Sequence, residues 1–263
     1  MITFPNAKIN LGLSVIRKRT DGFHDLETVF YPVPLREIYS LSNKQEKFSL
    51  HQYGKVILGI PESNLAVKAY LLLKKEFDLP PIDIHLYKNI PSGAGLGGGS
   101  ADAAFMIKLL NEKFQLNLSD YQLEKYASVL GADCAFFIRN KPVFAKGIGN
   151  EFFPIQLSLK GYQIVVVKPD IFISTKEAFA NVQPMQPKYS VKEIIHKPIQ
   201  YWKDLLINDF ECSVYPRYPI IKKIKEKLYE CGAIYASMSG SGSSIFGLFG
   251  PNVSLPNLKF DRN

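Results

Sequence analysis

The chain has 263 residues, of which 46% are hydrophobic and 21% are charged, and its formal net charge is +8. This balance is typical of a globular protein with one large domain or two closely packed ones, and it excludes a disordered chain. The basic residues are spread along the chain rather than clustered, so the charge does not by itself indicate nucleic-acid binding. A polyphosphate substrate accounts for a basic surface equally well.

The cysteines and the N-terminal segment indicate in which cellular compartment the protein is expected. Three cysteines, Cys134, Cys212 and Cys231, are too few and too scattered for a disulfide framework or a zinc site. No signal-peptide pattern is apparent at the N-terminus, and no apolar run approaches the length of a membrane span. We therefore expect a cytoplasmic protein with no membrane partner, no nucleic-acid partner and no metal held by a dedicated cage.

The first third of the chain is predicted to be rich in strands. β-Branched and aromatic runs separated by turn residues predict strands at residues 2–4, 9–16, 28–33, 37–41 and 48–53. Asn64 is predicted to cap a helix that stops before Pro80. Ile82, Ile84 and Leu86 then alternate with polar residues, which predicts a half-buried strand.

A glycine-rich stretch, residues 91–104, follows that strand and has five glycines within seven residues. Glycine leaves the backbone uncovered, so amide N–H groups can close around an anion. A helix-forming run follows, and a helix N-terminus adds unpaired donors and a positive dipole end. A flexible linker is the weaker alternative. The predicted phosphate loop consists of Pro91, Ser92, Gly93, Ala94, Gly95, Leu96, Gly97, Gly98, Gly99, Ser100 and Ala101.

Two familiar phosphate motifs do not account for this loop. Gly93, Gly95 and Gly98 satisfy the spacing of the dinucleotide-binding fingerprint, and Asp120 lies at about the expected distance. The segment after the helix is polar, however, whereas that fold requires a buried strand that ends in the acidic residue. A Walker A loop fails because no Gly-Lys-Ser/Thr sequence closes it.

The rest of the chain alternates between helices and strands. Ser119 and Gln122 form a capping-box pattern for a helix that stops near Gly131. Asp133 then precedes an apolar run. Further on, a buried strand is predicted at 162–167, a loop-rich segment at 182–200, helices at 201–211 and 219–231, and strands at 234–238 and 245–249 that flank the serine- and glycine-rich turn 239–244.

Phosphoryl transfer requires that the reacting groups are positioned and that the charge developing on them is neutralised. A hydroxyl acceptor therefore needs a carboxylate near its proton and a cation near its oxygen. Asp133 is the candidate acid and Lys8 the candidate cation, although a helix cap and an ordinary edge lysine explain these residues as well. His24 could equally be an ordinary loop histidine, and Phe23 and Phe179 could be core aromatics.

The loop resembles the Pro-x-x-x-Gly-Leu-Gly-x-x-Ser loop of the galactokinase, homoserine kinase, mevalonate kinase and phosphomevalonate kinase superfamily. One branch of that superfamily is matched nearly from end to end. The matching segments are residues 5–13, 19–26, 91–104, 131–137, 147–149, 208–211 and 238–242. Phe23, where tyrosine is commoner, and Cys134-Ala135, where Val-Pro is usual, depart from the pattern without removing a reacting group.

The resemblance implies an α+β fold of two lobes, with the phosphate loop between strand and helix and the active site in the cleft between the lobes. It implies an N-terminal ATP-binding and catalytic domain at 1–155 and a C-terminal domain at 156–263 that completes the substrate cleft. The implied reaction is ATP-dependent phosphorylation of the 2-hydroxyl of a methylerythritol linked to cytidine diphosphate, with Mg²⁺ carried by the nucleotide. The resemblance implies a small-molecule substrate and no obligate protein partner.

The resemblance also implies residue roles. Asp133 takes the hydroxyl proton, and Lys8 polarises the hydroxyl and holds Asp133 ionised. The glycine loop holds the ATP phosphates, with Asn64 near the adenosine. The implied substrate contacts are Asn10, Phe23, His24, Thr175 and Phe179, with His24 at the cytosine edge and the two phenylalanines stacked on the base. The alternatives are a homoserine or mevalonate kinase of the same superfamily and a non-catalytic RNA-binding module.

Overall fold

The structure is a computed structural model that describes residues 1–55 and 60–253. The chain forms two compact units. The first consists of residues 1–8, 32–92 and 96–141, and the second of residues 9–31, 93–95 and those from 142 onward. Each unit therefore draws on several stretches of chain. The predicted division into 1–155 and 156–263 stays a prediction, and its last ten residues lie outside the described part.

Eleven strands, nine α-helices and two short 3₁₀-helices, Pro61–Ser63 and Ile199–Tyr201, make up the regular structure of the described residues. The strands are β1 (Ile2–Thr3), β2 (Asn6–Lys18), β3 (His24–Arg36), β4 (Ile38–Asn43), β5 (Ser49–Gly54), β6 (Ile82–Lys88), β7 (Val143–Lys146), β8 (Glu151–Pro154), β9 (Gln163–Val167), β10 (Tyr235–Met238) and β11 (Ile245–Phe249). The helices are α1 (Leu65–Phe77), α2 (Gly98–Lys113), α3 (Asp120–Leu130), α4 (Phe136–Arg139), α5 (Thr175–Phe179), α6 (Val191–Ile195), α7 (Trp202–Leu205), α8 (Phe210–Val214) and α9 (Pro219–Glu230). The predicted α+β class is confirmed.

The first unit contains a four-stranded sheet in the order β1-β4-β6-β5, and the helices α1 to α4. Strand β6 pairs antiparallel with β4 and parallel with β5. Its alternating side chains Ile82, Ile84 and Leu86 are fully buried, as the period-2 pattern predicts. Helix α1 begins at the predicted cap, where Asn64 Oδ1 accepts a hydrogen bond from the Ala66 amide.

The second unit contains the antiparallel sheet β10-β11-β9 and most of the sheet β2-β3-β7-β8. Its core includes Leu13 and Val15 of β2, Phe210 of α8 and Ile221 of α9. The sequence predicts that strand β9 is buried, but all five of its residues are only half-buried. The apolar run alone does not distinguish these two degrees of burial.

The predicted helix at residues 201–211 is wrong. The chain forms the two short helices α7 and α8 instead, separated by residues that pair with β2. The Leu13 amide donates to the Ile207 carbonyl and the Asp209 amide to the Leu13 carbonyl, so this backbone forms an isolated β-bridge and cannot continue a helix. The segment predicted to be loop-rich, residues 182–200, also contains α6, which Ser190 caps.

Candidate active site

The glycine-rich loop connects β6 to α2, and α2 begins at Gly98. Gly97 occupies the N-cap position with φ of 71°, a left-handed conformation that an L-residue adopts only at a cost. The first turn of this 16-residue helix therefore presents unpaired amide donors next to glycines. This arrangement is suited to an anion.

The structure explains some glycines of the loop by close packing, but not all of them. A Cβ on Gly95 would lie 1.9 Å from the Ser239 carbonyl oxygen, and one on Gly98 would lie 2.9 Å from Ile90 Cγ2, so close packing requires both glycines. A Cβ on Gly99 would meet only Leu65 Cδ1, at an ordinary 3.5 Å, and Gly99 is solvent-exposed. Neither packing nor a positive φ requires a glycine at position 99, and the exposed backbone there leaves room for close approach of a ligand.

The predicted acid and cation come together in the first unit. Lys8 Nζ lies 3.3 Å from Asp133 Oδ2, and the lysine side chain is only 4% exposed whereas that of Asp133 is 34% exposed. The Lys8 amide donates to the carbonyl of Leu96, and a Cβ on Gly97 would lie 3.1 Å from Lys8 Cγ. The ion pair therefore adjoins the N-terminus of α2 and leaves the carboxylate accessible.

In the second unit, the turn between β10 and β11 supports the first half of the glycine loop. Ser239 Oγ donates to the Gly95 carbonyl at 2.8 Å and accepts from the Asn10 amide at 3.2 Å. The side chain of Asn10 donates to Thr28 Oγ1 at 3.0 Å. Asn208 donates from its amide group to the carbonyls of Met238 and Gly240 and so fixes the turn. The turn therefore does more than join two strands.

The structure brings two of the predicted base-contacting residues, His24 and Phe179, into contact. The rings of His24 and Phe179 stack on each other, with centroids 4.5 Å apart and planes 16° apart. Burial and the neighbouring charge of Lys18 lower the pKa of His24, which favours the neutral ring. Thr175 begins the short helix that ends at Phe179. The Phe23 side chain is 58% exposed in the turn before β3.

A buried group of three ionisable side chains, which we call the Lys88 triad, consists of Lys88, Glu37 and Asp102. Lys88 Nζ lies 2.6 Å from Glu37 and 2.7 Å from Asp102 Oδ2, and all three side chains are at most 2% exposed. A Cβ on Gly98 would lie 3.5 Å from Lys88 Nζ, so the triad lies beneath the first turn of α2. Burial, together with Asp102, raises the pKa of Glu37 above its ordinary value of 4.5. Sequence reasoning missed the triad, although Lys88 continues the buried alternation of β6.

A cavity of about 410 Å³ in the first unit is lined by residues that include Phe48, Ser49 and Pro61. None of the predicted site residues lines it. Among the described residues, no helix is both long and apolar enough to cross a membrane.

Comparison with known proteins defines the class to which this fold and loop belong. Residues 64–141 match the family described as GHMP kinases N terminal domain, and residues 191–258 match GHMP kinases C terminal. The chain is therefore a kinase of the GHMP type, as the loop predicts. A crystal structure of the Methanococcus jannaschii mevalonate kinase has the same fold, with a TM-score of 0.71 at 15% identity over 96% of this chain and 92% of that one.

Two other proteins have a much higher sequence identity to this chain. The chain is 66% identical to the 4-diphosphocytidyl-2-C-methyl-D-erythritol kinase of Bacteroides thetaiotaomicron, over 100% of this chain and 97% of the relative. A crystal structure of 4-(cytidine 5'-diphospho)-2C-methyl-D-erythritol kinase superposes with a TM-score of 0.81 at 31% identity, over 94% of this chain and 90% of that one. The chain belongs to the 4-diphosphocytidyl-2-C-methyl-D-erythritol kinase family. The resemblance inferred from the motifs is thus confirmed, while the roles of individual residues stay predictions.

Proposed function

We propose that this kinase transfers the γ-phosphoryl group of ATP to the 2-hydroxyl of 4-diphosphocytidyl-2-C-methyl-D-erythritol, in isoprenoid precursor biosynthesis. The observation that carries the proposal is the ion pair of Lys8 and Asp133 beside the N-terminus of α2. A hydroxyl becomes a competent acceptor when a carboxylate can take its proton and a cation balances the charge that develops on oxygen.

In this mechanism the two side chains divide the work. The accessible carboxylate of Asp133 accepts the proton of the 2-hydroxyl, and the buried ammonium of Lys8 stabilises the oxygen as it attacks the γ-phosphorus. The 3.3 Å contact with Lys8 holds the Asp133 carboxylate in place. Asn10 and Thr175 would contact the substrate.

The ATP phosphates would bind at the glycine loop, residues 91–101. The exposed glycine at position 99 and the left-handed N-cap at Gly97 support this assignment, because both leave backbone N–H groups open to oxygen atoms. Mg²⁺ would arrive with the nucleotide and keep most of its water ligands. Asn64, whose side chain caps α1, would lie near the adenosine.

The cytosine would bind at the stacked pair of His24 and Phe179. A neutral imidazole has one donor and one acceptor nitrogen, which suits the mixed polar edge of a cytosine, and aromatic rings provide the stacking face. Phe23, being exposed, offers a second face to the base. A cytoplasmic location fits an enzyme that uses ATP and has three free cysteines.

A coupled assay of ADP release with a panel of acceptors tests the proposal. The acceptors are 4-diphosphocytidyl-2-C-methyl-D-erythritol, free methylerythritol, homoserine and mevalonate, and phosphorus NMR identifies the phosphorylated position. We expect turnover with the cytidine conjugate alone, and a kcat lower by about 10²- to 10⁴-fold in the Asp133→Asn variant. Comparable turnover with homoserine, mevalonate or free methylerythritol would contradict the proposed substrate.

A further inference from the structure

Three side chains with metal-ligating atoms meet on the surface of the first unit, away from the glycine loop in sequence. Strands β5 and β6 run parallel, with Ser49 opposite Asp83 and His51 opposite His85. Because side chains alternate along a strand, Asp83 and His85 share one face of β6, opposite the face that carries its buried residues. That face brings His51, Asp83 and His85 together.

The ligating atoms of this cluster already converge. His51 Nε2 lies 3.0 Å from Asp83 Oδ1, and His85 Nε2 lies 3.2 Å from Asp83 Oδ2. One ligand atom from each residue can be chosen so that all of them lie within 4.8 Å of one another. A tetrahedral ion with bonds of about 2.0–2.2 Å needs ligand atoms about 3.4 Å apart. Small side-chain rotations therefore suffice to bring the three groups onto one ion.

The surroundings of the cluster orient the ligands. The phenol of Tyr53 lies 3.2 Å from His85 Nδ1, so the Nδ1–H tautomer can donate to it and leave the Nε2 lone pair for an ion. The Ser49 hydroxyl donates to Asp83 Oδ1, and Lys44 Nζ donates to that hydroxyl at 2.8 Å. The side chains of His51, His85 and Asp83 are 46%, 40% and 24% exposed, so an ion from solvent can reach them.

We propose that His51, Asp83 and His85 bind a divalent transition-metal ion of the zinc type, with water completing its coordination. Two imidazoles and one carboxylate form a donor set that zinc-type ions prefer over Mg²⁺ or Ca²⁺. Strand β5 lies at the edge of its sheet, next to β6. An ion bound by one ligand from β5 and two from β6 would link that edge strand to its neighbour and stabilise the sheet edge. None of its ligands belongs to the predicted phosphate loop, and no short sequence motif indicates the site because His51 lies on a different strand from Asp83 and His85.

The test is a Zn²⁺ titration of the full chain, free of any histidine tag, monitored by competition with a chromogenic chelator. We expect one Zn²⁺ per chain, and a loss of affinity of at least tenfold in each of His51→Gln, His85→Gln and Asp83→Asn. Two matched controls, His196→Gln and Cys212→Ser, alter an exposed histidine and an exposed thiol outside the cluster and should bind as the wild type does. Circular dichroism verifies that each variant is folded.

Two further measurements distinguish coordination at this cluster from loose binding of Zn²⁺ to surface side chains. Tyr53→Phe removes only the partner of His85 Nδ1 and should weaken binding about 10- to 100-fold, as loss of an outer partner typically does. Amide hydrogen exchange in β5 should slow on addition of Zn²⁺ in the wild type but not in His51→Gln. Turnover of His51→Gln with Mg²⁺ and ATP should equal that of the wild type. Absence of stoichiometric binding, or binding that survives all three ligand substitutions, would overturn the proposal.

Discussion

Replacement of Gly99 by alanine separates phosphate binding from the stability of the fold. Gly99 lies in the first turn of α2, and a Cβ there would meet only Leu65 Cδ1, at 3.5 Å. An alanine in a helix loses less conformational entropy than a glycine, so the variant should be more stable by about 0.4–1 kcal/mol. For a chain of this size that gain corresponds to an increase in Tm of about 1–4 °C.

The same methyl group should harm ATP binding. If the phosphates approach the backbone at Gly99, the methyl displaces an oxygen from at least one amide donor. A hydrogen bond to a charged group contributes about 1.5–3 kcal/mol, which corresponds to a rise of about 10- to 140-fold in the KM for ATP. A variant that is more stable yet binds ATP worse is not expected from a damaged fold.

The assay combines thermal unfolding with initial rates at varied ATP concentrations. Gly98→Ala is the matched control, because it makes the same chemical change one residue earlier. Its Cβ would lie 2.9 Å from Ile90 Cγ2, so that variant should lose stability. An unchanged KM for ATP in Gly99→Ala would refute the assignment of the phosphates to this turn. Gly97 is a less useful position, because its φ is positive and a side chain there would crowd Phe137 and Lys8.

Three other predictions concern the catalytic pair, the base site and the Lys88 triad. Asp133→Asn should lower kcat about 10²- to 10⁴-fold with ATP binding by calorimetry retained, and turnover near the wild-type rate would leave Asp133 without a catalytic role. His24→Ala and Phe179→Ala should each lower kcat/KM for the cytidine substrate about 5- to 150-fold, with the KM for ATP unchanged; normal kinetics in both would contradict the base site. Since burial raises the pKa of Glu37, the folded state keeps a proton that the unfolded state releases above about pH 4.5. Stability by urea unfolding should therefore fall between pH 5 and pH 8, and less so in Glu37→Gln; an identical slope in both proteins would show that Glu37 is ionised.

The sequence predictions of secondary structure that proved correct depend on residues that are close together in the chain. The alternation that ends at Leu86, the capping box at Ser119 and the glycine loop each depend on residues close together in the chain, and the structure has all three. The pairing of Lys8 with Asp133 came from the family resemblance instead, because no local rule joins residues that far apart.

The features that sequence reasoning missed depend on contacts between distant segments. The helix expected at 201–211 is interrupted because residues next to Asn208 pair with Leu13, and the Asn208 side chain binds the turn after β10. Helix propensity cannot anticipate such a pairing. The cluster of His51, Asp83 and His85 likewise cannot be predicted from the sequence, since only the register of two parallel strands brings its members together.

The Lys88 triad bears on how the first unit folds. Because Glu37 before β4 keeps its proton in the folded state, the ammonium of Lys88 at the end of β6 is neutralised by Asp102 in the first turns of α2. A folding intermediate with β6 packed and α2 undocked would bury the ammonium of Lys88 without Asp102. An incompletely paired buried charge of this kind costs about 3–5 kcal/mol, which is comparable to much of the stability of a domain. The triad therefore disfavours partly assembled states and favours cooperative formation of the sheet and helix α2.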